Sequence, residues 1–394
     1  MRRLFASVTL LVLAACARGD REPLTPAAAD QADAVAAGRL AALRTGSQTR
    51  GFREADIPYR FEFPRDHGPH PEFRQEWWYL TGNLRDAAGI PYGFELTFFR
   101  LAMAPALGAT AQPAVPASAS DRSQWHARQV YVAHFAITDV KRAQFHATAR
   151  YAREALGLAG SSGRPLHVWV SGWFLTEGDG TAPWTLHADD GEKALTLALR
   201  PQLPPVLNGD EGLSVKSDEP GAASYYYSIP RLEVQGELRD AGRSVSVSGL
   251  AWLDREWGSG PLGVDQQGWD WFGLQLSDGT ALMFYALRTR GGERDRHSAG
   301  TWIASDGSTR ALHSAEVEIG TESHWTSPRG DRYPSRWHVR VPALALDLDV
   351  VPVVANQELD TKPRYWEGSV HVAGARDGHS VDGQGYVELV GYAH

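Results

Sequence analysis

The chain has 394 residues and a formal net charge of −8, with 43% hydrophobic and 22% charged residues. These values are typical of folded globular proteins, exclude disorder for most of the chain, and allow two domains. The single Cys excludes a disulfide framework and a Cys-based zinc site, and the acidic net charge excludes nucleic acid as a general partner.

The first 16 residues have the pattern of a bacterial lipoprotein signal peptide. Arg2 and Arg3 precede an apolar run over 4–15, which is too short to cross a membrane. The run ends in Leu-Ala-Ala-Cys, so Cys16 is predicted to be the lipidated first residue of the mature chain. A plain signal peptide with an incidental Cys is the alternative.

Residues 17–55 are predicted to form an Ala-rich tether between the lipid and the folded part. Residue 17 is Ala rather than Asp, which in Gram-negative lipoproteins favours the outer membrane. We therefore expect a lipid-anchored protein of the bacterial cell envelope, at the outer membrane and facing the periplasm.

From about Tyr59 onward the dominant period is two, which predicts half-buried strands in antiparallel sheets. The clearest alternating runs are Phe94-Leu96-Phe98, Val130-Val132-His134-Ala136, Val245-Val247 and Leu344-Leu346-Leu348. Asp-Gly pairs, which favour hairpin turns, occur at 179–180, 190–191, 278–279, 306–307, 377–378 and 382–383. The predicted class is all-β, and the pattern suits both closed barrels and a sandwich.

An internal similarity supports two related β domains. Trp77, Tyr79, Asn83, Leu84 and Asp86 align without a gap to Trp269, Trp271, Gln275, Leu276 and Asp278. A hydrophobic strand follows each segment after a turn. We place an N-terminal domain at 56–238 and a C-terminal domain at 239–394, with a surface loop rich in Ala, Pro and Ser over 104–120.

The segment 249–258 carries the strongest indication of chemistry. On a strand, Trp252, Asp254 and Glu256 project from one face and Arg255 from the other. Two carboxylates are costly to bury unless they are paired or used, and a close pair can act as acid and base. The alternative is a structural ion-pair network that includes Arg255.

Aromatic residues form further candidates in a chain with 14 Trp. Tyr225, Tyr226 and Tyr227 precede a proline, and their hydroxyl groups are plausible ligand or proton-relay groups. Trp269 and Trp271 share a strand face, either as core packing or as the lining of a ligand cavity.

The sequence contains no His-Glu-x-x-His, Gly-x-Ser-x-Gly, Walker or dinucleotide-binding motif. Serine-hydrolase, zinc-protease and nucleotide-dependent chemistry therefore have no support. His67 and His70 lie in a loop beside Asp66 and have only a weak chelating pattern, while His134 is expected to be a hydrogen-bonded core residue. We predict neither a metal nor another cofactor.

Several of these segments together resemble the carotenoid 1,2-hydratase (hydroxyneurosporene synthase) and AttH-like family, often labelled predicted secreted hydrolases. The matching segments are 76–82, 134–139, 224–230, 252–258, 268–276, 365–368 and 385–392. The resemblance runs from about residue 55 to the C-terminus. It implies two consecutive lipocalin-like antiparallel β-barrel domains.

The hydratase branch of this family adds water to a terminal double bond of an acyclic carotenoid without a cofactor. The resemblance makes Asp254 the acid, Trp252 and Tyr227 the aromatics that face the cation, and Glu256 a residue that orients water. The family site combines His, Trp, Tyr and Asp. Here Tyr225 takes the His position and Trp252 the Tyr position.

Asp254, Glu256, Tyr225 and Tyr227 are thus the predicted catalytic residues, and Trp252, Trp269, Trp271 and Tyr226 are the predicted substrate-binding residues. Three functions fit these residues. The first is a hydro-lyase or hydrolase that acts on a long apolar isoprenoid or lipid. The second is a non-catalytic lipocalin-like carrier of a hydrophobic ligand, and the third is a structural envelope protein.

Overall fold

The computed structural model describes residues 49–105, 128–240, 242–260 and 262–393. The predicted signal peptide, Cys16, most of the tether and most of the 104–120 loop lie outside these residues. Within them, none of the helices has the length and apolar character needed to cross a membrane.

The first sheet of the protein is antiparallel and nearly closes into a barrel. Its strands are β1 (Gln75–Asp86), β2 (Pro91–Ala102), β3 (Gln129–Asp139), β4 (Gln144–Arg153), β5 (Ala159–Gly163), β6 (Leu166–Val170), β7 (Trp173–Thr176), β8 (Trp184–Asp189), β9 (Lys193–Pro201), β10 (Val206–Leu207), β11 (Leu213–Val215), β12 (Ala223–Asp240) and β13 (Arg243–Gly258). Along the sheet they lie in the order β4-β3-β2-β1-β13-β12-β9-β8-β7-β6-β5, and β10 and β11 pair with β12.

The second sheet forms a half-barrel. Its strands are β14 (Gln266–Leu276), β15 (Ala281–Thr289), β16 (Ala299–Ile303), β17 (Thr309–His313), β18 (Glu318–Thr326), β19 (Arg332–Val341), β20 (Leu346–Pro352), β21 (Glu358–Leu359), β22 (Tyr365–Arg376) and β23 (His379–Val390). Their order is β17-β16-β15-β14-β23-β22-β20-β19-β18, and β21 pairs with β22. Short 3-10 turns lie at Arg65–His67, Ser314–Glu316 and Pro342–Leu344. The prediction of an all-β protein is confirmed.

The two sheets repeat one topology. In each, the first four strands form a meander, and the last strand returns to pair with the first: β13 with β1, and β23 with β14. The strands β1 and β14, which carry the internal sequence similarity, therefore occupy equivalent positions.

The chain passes from the first sheet to the second between Gly258 and Gln266. The expected boundary at 238/239 falls instead within the hairpin of β12 and β13. Because β13 pairs with both β12 and β1, residues 243–258 complete the first sheet.

The alternating patterns place side chains as strand geometry requires. Phe94, Leu96 and Phe98 enter the core of the first domain, and Leu346 and Leu348 enter that of the second, while Leu344 ends a 3-10 turn. Five of the Asp-Gly pairs lie between consecutive strands, but 382–383 lies inside β23. The chain has already reversed at 377–378, so this pair continues the ladder with β22.

Residues of β1, β12 and β13 meet residues of β14, β15 and β23 between the domains. They form a third buried apolar cluster with contributions from both sheets: Tyr79, Val206, Tyr226, Trp252, Trp271, Ala281, Met283, Tyr285, Leu287, Ile303 and Tyr386. The domains therefore share a core of their own, separate from the core of each sheet.

Candidate functional site

A cavity of about 220 Å³ lies at this domain interface. Its walls are aromatic and apolar, and charged residues from the two domains line it, among them Lys216, Asp254, Glu256 and Glu388. His134 and Tyr365 also line it. A few polar groups on aromatic walls are typical of a small-molecule site.

Strand β13 supplies the core of the site. Asp254 and Glu256 lie on its outer face and reach the cavity, and Trp252 lies beside them. Arg255 projects from the opposite face, where its Nη2 lies 2.5 Å from Glu76 Oε2 inside the first barrel. The ion-pair network considered as the alternative exists, but it uses Glu76 and leaves Asp254 out.

Three donors surround the Asp254 carboxyl group. Trp252 Nε1 donates to Oδ1 at 2.7 Å and Ser228 Oγ to the same oxygen at 2.5 Å, while the Tyr226 hydroxyl donates to Oδ2. Among the residues that the structure describes, Asp254 forms no salt bridge. Its charge is therefore stabilised by dipoles alone.

A second layer of hydrogen bonds fixes where a proton can sit on Asp254. Thr301 Oγ1 donates to Asn208 Oδ1 at 2.8 Å, and Asn208 Nδ2 donates to Ser228 Oγ at 2.9 Å. Ser228 must then turn its own proton toward Asp254, and the indole of Trp252 can only donate. Since both donors occupy Oδ1, a proton on the carboxyl group lies on Oδ2, facing Tyr226.

Burial raises the pKa of Asp254 from 3.8 to about 7. The hydrogen bonds from Ser228, Tyr226 and Trp252 oppose this increase, and the charge of Glu256 adds to it. The side chain is only 3% exposed, so desolvation of the carboxylate dominates. Near neutral pH Asp254 therefore exists in both its acidic and its basic form.

Glu256 differs from its neighbour because a cation faces it. Lys216 Nζ lies 3.3 Å from Glu256 Oε1, which also accepts a hydrogen bond from Ser224. The ammonium group lies 3.9 Å from the ring centroid of Tyr285. Burial lowers the pKa of Lys216, but the charges of Glu256 and Tyr285 and the hydrogen bonds to both together outweigh burial and keep that pKa above its ordinary value.

Three of the four predicted substrate-binding aromatics line the cavity, whereas Trp252 does not. Tyr226, Trp269 and Trp271 line it, and Trp271 Nε1 donates across the domain interface to the Tyr226 hydroxyl at 3.1 Å. Trp252 packs edge-on against Trp271 with ring centroids 6.0 Å apart. Tyr226 Oη thus lies between an indole donor and the carboxyl group of Asp254.

Tyr225 and Tyr227, by contrast, lie away from the cavity. They alternate with Tyr226 along β12 and enter the core of the first barrel. Tyr225 Oη donates to the carbonyl of Ile57 at 2.9 Å, and Tyr227 Oη lies 2.7 Å from His67 Nδ1. Their assignment as catalytic residues is corrected by strand parity, because only Tyr226 shares the face of Asp254.

Sequence analysis missed two charged residues of the site, Lys216 and Glu388. Trp269 Nε1 donates to Glu388 Oε2 at 2.7 Å, and burial raises the pKa of Glu388 to about 7, with further increases from the charges of Asp254 and Glu256. Glu388 could have been found by extending the internal similarity from β1 and β14 to their last-strand partners. Lys216 lies between β11 and β12 in a segment without a recognisable pattern.

Within the described part of the chain, one group has the donor types and spacing of a metal site: Glu322, His338 and Asp349 on the second domain. It lies outside the cavity. His67 and His70 do not belong to it. Both are buried in the first domain.

Comparison with known proteins gives two related results. The sequence profile of the AttH-like family matches residues 54–392. The crystal structure of an AttH protein from Nitrosomonas europaea is similar in fold and sequence, with a TM-score of 0.75 and 31% identity. The match covers 87% of this chain and 100% of that chain.

Kievitone hydratase from Nectria haematococca has a similar fold, with a TM-score of 0.63 and 15% identity over 86% of this chain and 96% of that chain. At this identity the likeness concerns the fold alone. It confirms the prediction of two consecutive lipocalin-like β domains. A search of curated proteins found no match to the sequence.

Proposed function

Because this chain belongs to the AttH-like family and holds a protonatable carboxyl group in an aromatic cavity, we propose that it is a hydratase-like enzyme. It adds water to a carbon–carbon double bond of a long apolar isoprenoid, such as an acyclic carotenoid, by acid catalysis. The observation that carries this proposal is Asp254, buried at the cavity wall with a pKa of about 7.

The first step is protonation of the double bond. When Oδ2 of Asp254 carries the proton, it donates to Tyr226 Oη, which also accepts from Trp271. The hydroxyl proton of Tyr226 then points into the cavity. Tyr226 passes this proton to the less substituted alkene carbon and takes the proton of Asp254, so that Asp254 is the acid and Tyr226 the relay.

The second step is capture of the tertiary cation by water. The ring quadrupole gives the faces of aromatic side chains a negative electrostatic potential, which stabilises such a cation. Trp271 and Tyr226 line the cavity where it forms. Glu256, held in place by Lys216 and Ser224, orients the water through its carboxylate.

The size of the cavity supports reaction at the end of a chain. A volume of about 220 Å³ is smaller than the roughly 300–1,000 Å³ typical of sites that enclose a whole drug-sized ligand. A terminal isoprenoid segment fits this space, while the rest of a long substrate extends beyond it. This geometry suits addition of water to a terminal double bond.

The proposal is tested with lycopene in detergent micelles, purified protein and ¹⁸O-labelled water. We expect a hydroxylated product that carries ¹⁸O, formed faster below pH 7 than above it because ionisation of Asp254 removes the acid. Asp254→Asn should lower the rate at least about 100-fold. The exposed Asp306→Asn is the control, and an unchanged rate in Asp254→Asn would refute the assignment.

The carrier function remains the second candidate because an aromatic, apolar cavity also binds a hydrophobic ligand without reacting. Mass spectrometry of ligand that co-purifies with the protein separates the two functions. An unmodified isoprenoid or lipid retained at equal occupancy by wild type and Asp254→Asn, without turnover, supports the carrier.

We also propose that Cys16 is lipidated and anchors the protein in the bacterial envelope, at the outer membrane on its periplasmic side. The order of charged, apolar and small residues before Cys16 supports this proposal. Cells grown with radioactive palmitate should label the wild-type protein and leave Cys16→Ser unlabelled. Label that persists in Cys16→Ser would contradict it.

A further inference from the structure

We propose that Glu388 is the base that deprotonates the attacking water, so that the two domains each supply one half of the acid–base pair. The inference rests on the proposed hydratase function and assigns to Glu388 a role that neither the family match nor the sequence motifs assign.

The two carboxyl groups occupy equivalent positions in the repeated topology. Asp254 on β13 lies opposite Tyr79 of β1, and Glu388 on β23 lies opposite Trp271 of β14. Tyr79 and Trp271 are themselves aligned by the internal similarity. Both carboxyl groups project from the outer faces of their sheets, and both line the same cavity.

The surroundings of Glu388 leave it free to accept a proton. Trp269 Nε1 donates to Oε2, and within the described residues Glu388 has no cation in salt-bridge contact. Glu256, which also lines the cavity, faces Lys216, and its Oε1 already accepts from Ser224. Of the two, Glu388 has the less occupied carboxyl group.

Asp254 and Glu388 are also electrostatically coupled. The negative charge of Asp254 raises the pKa of Glu388, as does that of Glu256, and Glu388 in turn adds to the raised pKa values of Glu95 and Glu367. Two carboxyl groups that repel each other favour the state in which they share one proton. In the reactive state of the proposed mechanism that proton is on Oδ2 of Asp254 and Glu388 is ionised.

The reaction balances with this pair. Asp254 gives its proton, through Tyr226, to one alkene carbon, and the water oxygen forms a bond to the other carbon as Glu388 takes one water proton. The product gains one C–H and one C–OH bond. Asp254 is left ionised and Glu388 protonated, and water in the emptied cavity returns the proton from Glu388 to Asp254.

The two roles are separated by isotopes in full-length protein with lycopene as the probe. Reversible protonation by Asp254 exchanges deuterium from D₂O into the less substituted carbon of the terminal double bond, whereas addition of water incorporates ¹⁸O. Glu388→Gln should keep deuterium exchange within about 3-fold of wild type and lose at least about 100-fold in ¹⁸O addition. Asp254→Asn should lose both.

Two further variants distinguish the loss of the Glu388 carboxylate from misfolding of the protein. Glu388→Asp keeps the carboxylate and should recover ¹⁸O addition above the level of Glu388→Gln, whereas the exposed Glu237→Gln should match wild type. Wild-type ¹⁸O addition in Glu388→Gln would overturn the inference and leave the proposed function intact, and so would equal loss of exchange and addition. A wild-type protein that shows neither isotope in lycopene would refute the proposed function itself.

Discussion

The ionised carboxyl group of Asp254 destabilises the folded protein. A pKa raised from 3.8 to about 7 corresponds to an unfavourable free energy of roughly 4 kcal/mol once Asp254 is ionised in both states. Because the folded-state pKa is the higher one, this loss of stability develops as the pH rises from about 4 through 7. Asp254 thus combines a destabilising charge with a proton affinity suited to acid catalysis.

The first prediction follows from this loss of stability on ionisation of Asp254. Asp254→Asn keeps an acceptor for Trp252 and Ser228 and removes the charge, so at pH 8 its free energy of unfolding should exceed that of wild type by about 1–3 kcal/mol. At pH 4 the difference should vanish. Urea denaturation at both pH values measures it, and a variant that is less stable than wild type at pH 8 would contradict the prediction.

Glu256→Gln serves as the matched control, and its change in the free energy of unfolding should have the opposite sign. Removing the charge of Glu256 leaves the ammonium group of Lys216 without its carboxylate in a mostly buried site. We expect a loss of roughly 1–3 kcal/mol at pH 8. The contrast separates a carboxylate that lacks a counter-ion from one that has it.

The second prediction concerns the donor Ser228. Its hydrogen bond lowers the pKa of Asp254, so Ser228→Ala should raise that pKa further. The pH above which ¹⁸O addition to lycopene declines should move upward by roughly one unit. Ser308→Ala, which removes a hydroxyl group bound to the exposed Asp306, is the control. A midpoint that stays at the wild-type pH would exclude the hydrogen-bond chain from setting the proton affinity.

At the scale of single residues, sequence analysis was limited to what one strand reveals. Parity along β13 correctly brought Asp254 and Glu256 to one face. The same parity placed Tyr225 and Tyr227 together, but the register between β12 and β13 decides which tyrosine faces Asp254. Ser228 lies opposite Asp254, so it is Tyr226 that shares its face. Register between strands depends on contacts distant in sequence, which a single pattern does not contain.

At the scale of elements, β2 packs against the second domain through a glycine. A Cβ on Gly93 would lie 2.7 Å from Tyr386 Oη and 2.8 Å from Ser369 Cβ, so a side chain there would separate β2 from β22 and β23. Gly93 is therefore a point of close approach between the two sheets.

The third prediction is that Gly93→Val destabilises the protein by about 1–3 kcal/mol, because the domains must move apart to accommodate the side chain. The binding of a hydrophobic dye should rise as the interface opens. Thermal unfolding and dye fluorescence measure both effects. Gly320→Val on β18, where a Cβ has only one distant neighbour, is the control, and equal effects of the two substitutions would contradict the explanation.

The elements themselves were largely predictable. Alternation identified β2, β3, β13 and β20, and most Asp-Gly pairs marked real turns. The predicted domain boundary at 238/239 differs from the observed one because β12 and β13 form one long hairpin. Only the pairing of β13 with β1 shows that β13 belongs to the first sheet. The sheet topology is determined by pairings between strands that are distant in sequence, and a local hydrophobic pattern contains no information about these pairings.

At the scale of the whole molecule, the cavity belongs to neither barrel alone. The outer faces of two similar sheets meet and enclose it. Aromatic residues on those faces are therefore buried against the other domain instead of being exposed to solvent. Hydrogen bonds also join the two domains across this interface. Thr138 Oγ1 donates to Gln357 Oε1 at 2.8 Å, and Gln275 Nε2 donates to the carbonyl of Pro230 at 2.7 Å. Integrity of the site therefore requires both domains.

The interface also buries two carboxyl groups outside the proposed reaction. Glu95 on β2 and Glu367 on β22 are fully buried, and Tyr79 Oη donates to Glu367 Oε1 at 2.6 Å. Burial raises the pKa of each well above its ordinary value, and the charge of Glu388 raises both further. Burial therefore favours the neutral form of both groups, and their ionisation would place negative charges between the domains.

The fourth prediction is that the protein loses stability as the pH rises from 6 to 9. For both glutamic acids the folded-state pKa is above the unfolded one, so their stabilising contribution is complete at acidic pH and is lost as the pH rises through the folded-state values. The double variant Glu95→Gln/Glu367→Gln should show a smaller decrease in melting temperature over this range, because neutral amides do not ionise. Differential scanning calorimetry measures the decrease, with the exposed Glu237→Gln as control. Equal decreases in the double variant and wild type would show that these two groups do not set the alkaline limit.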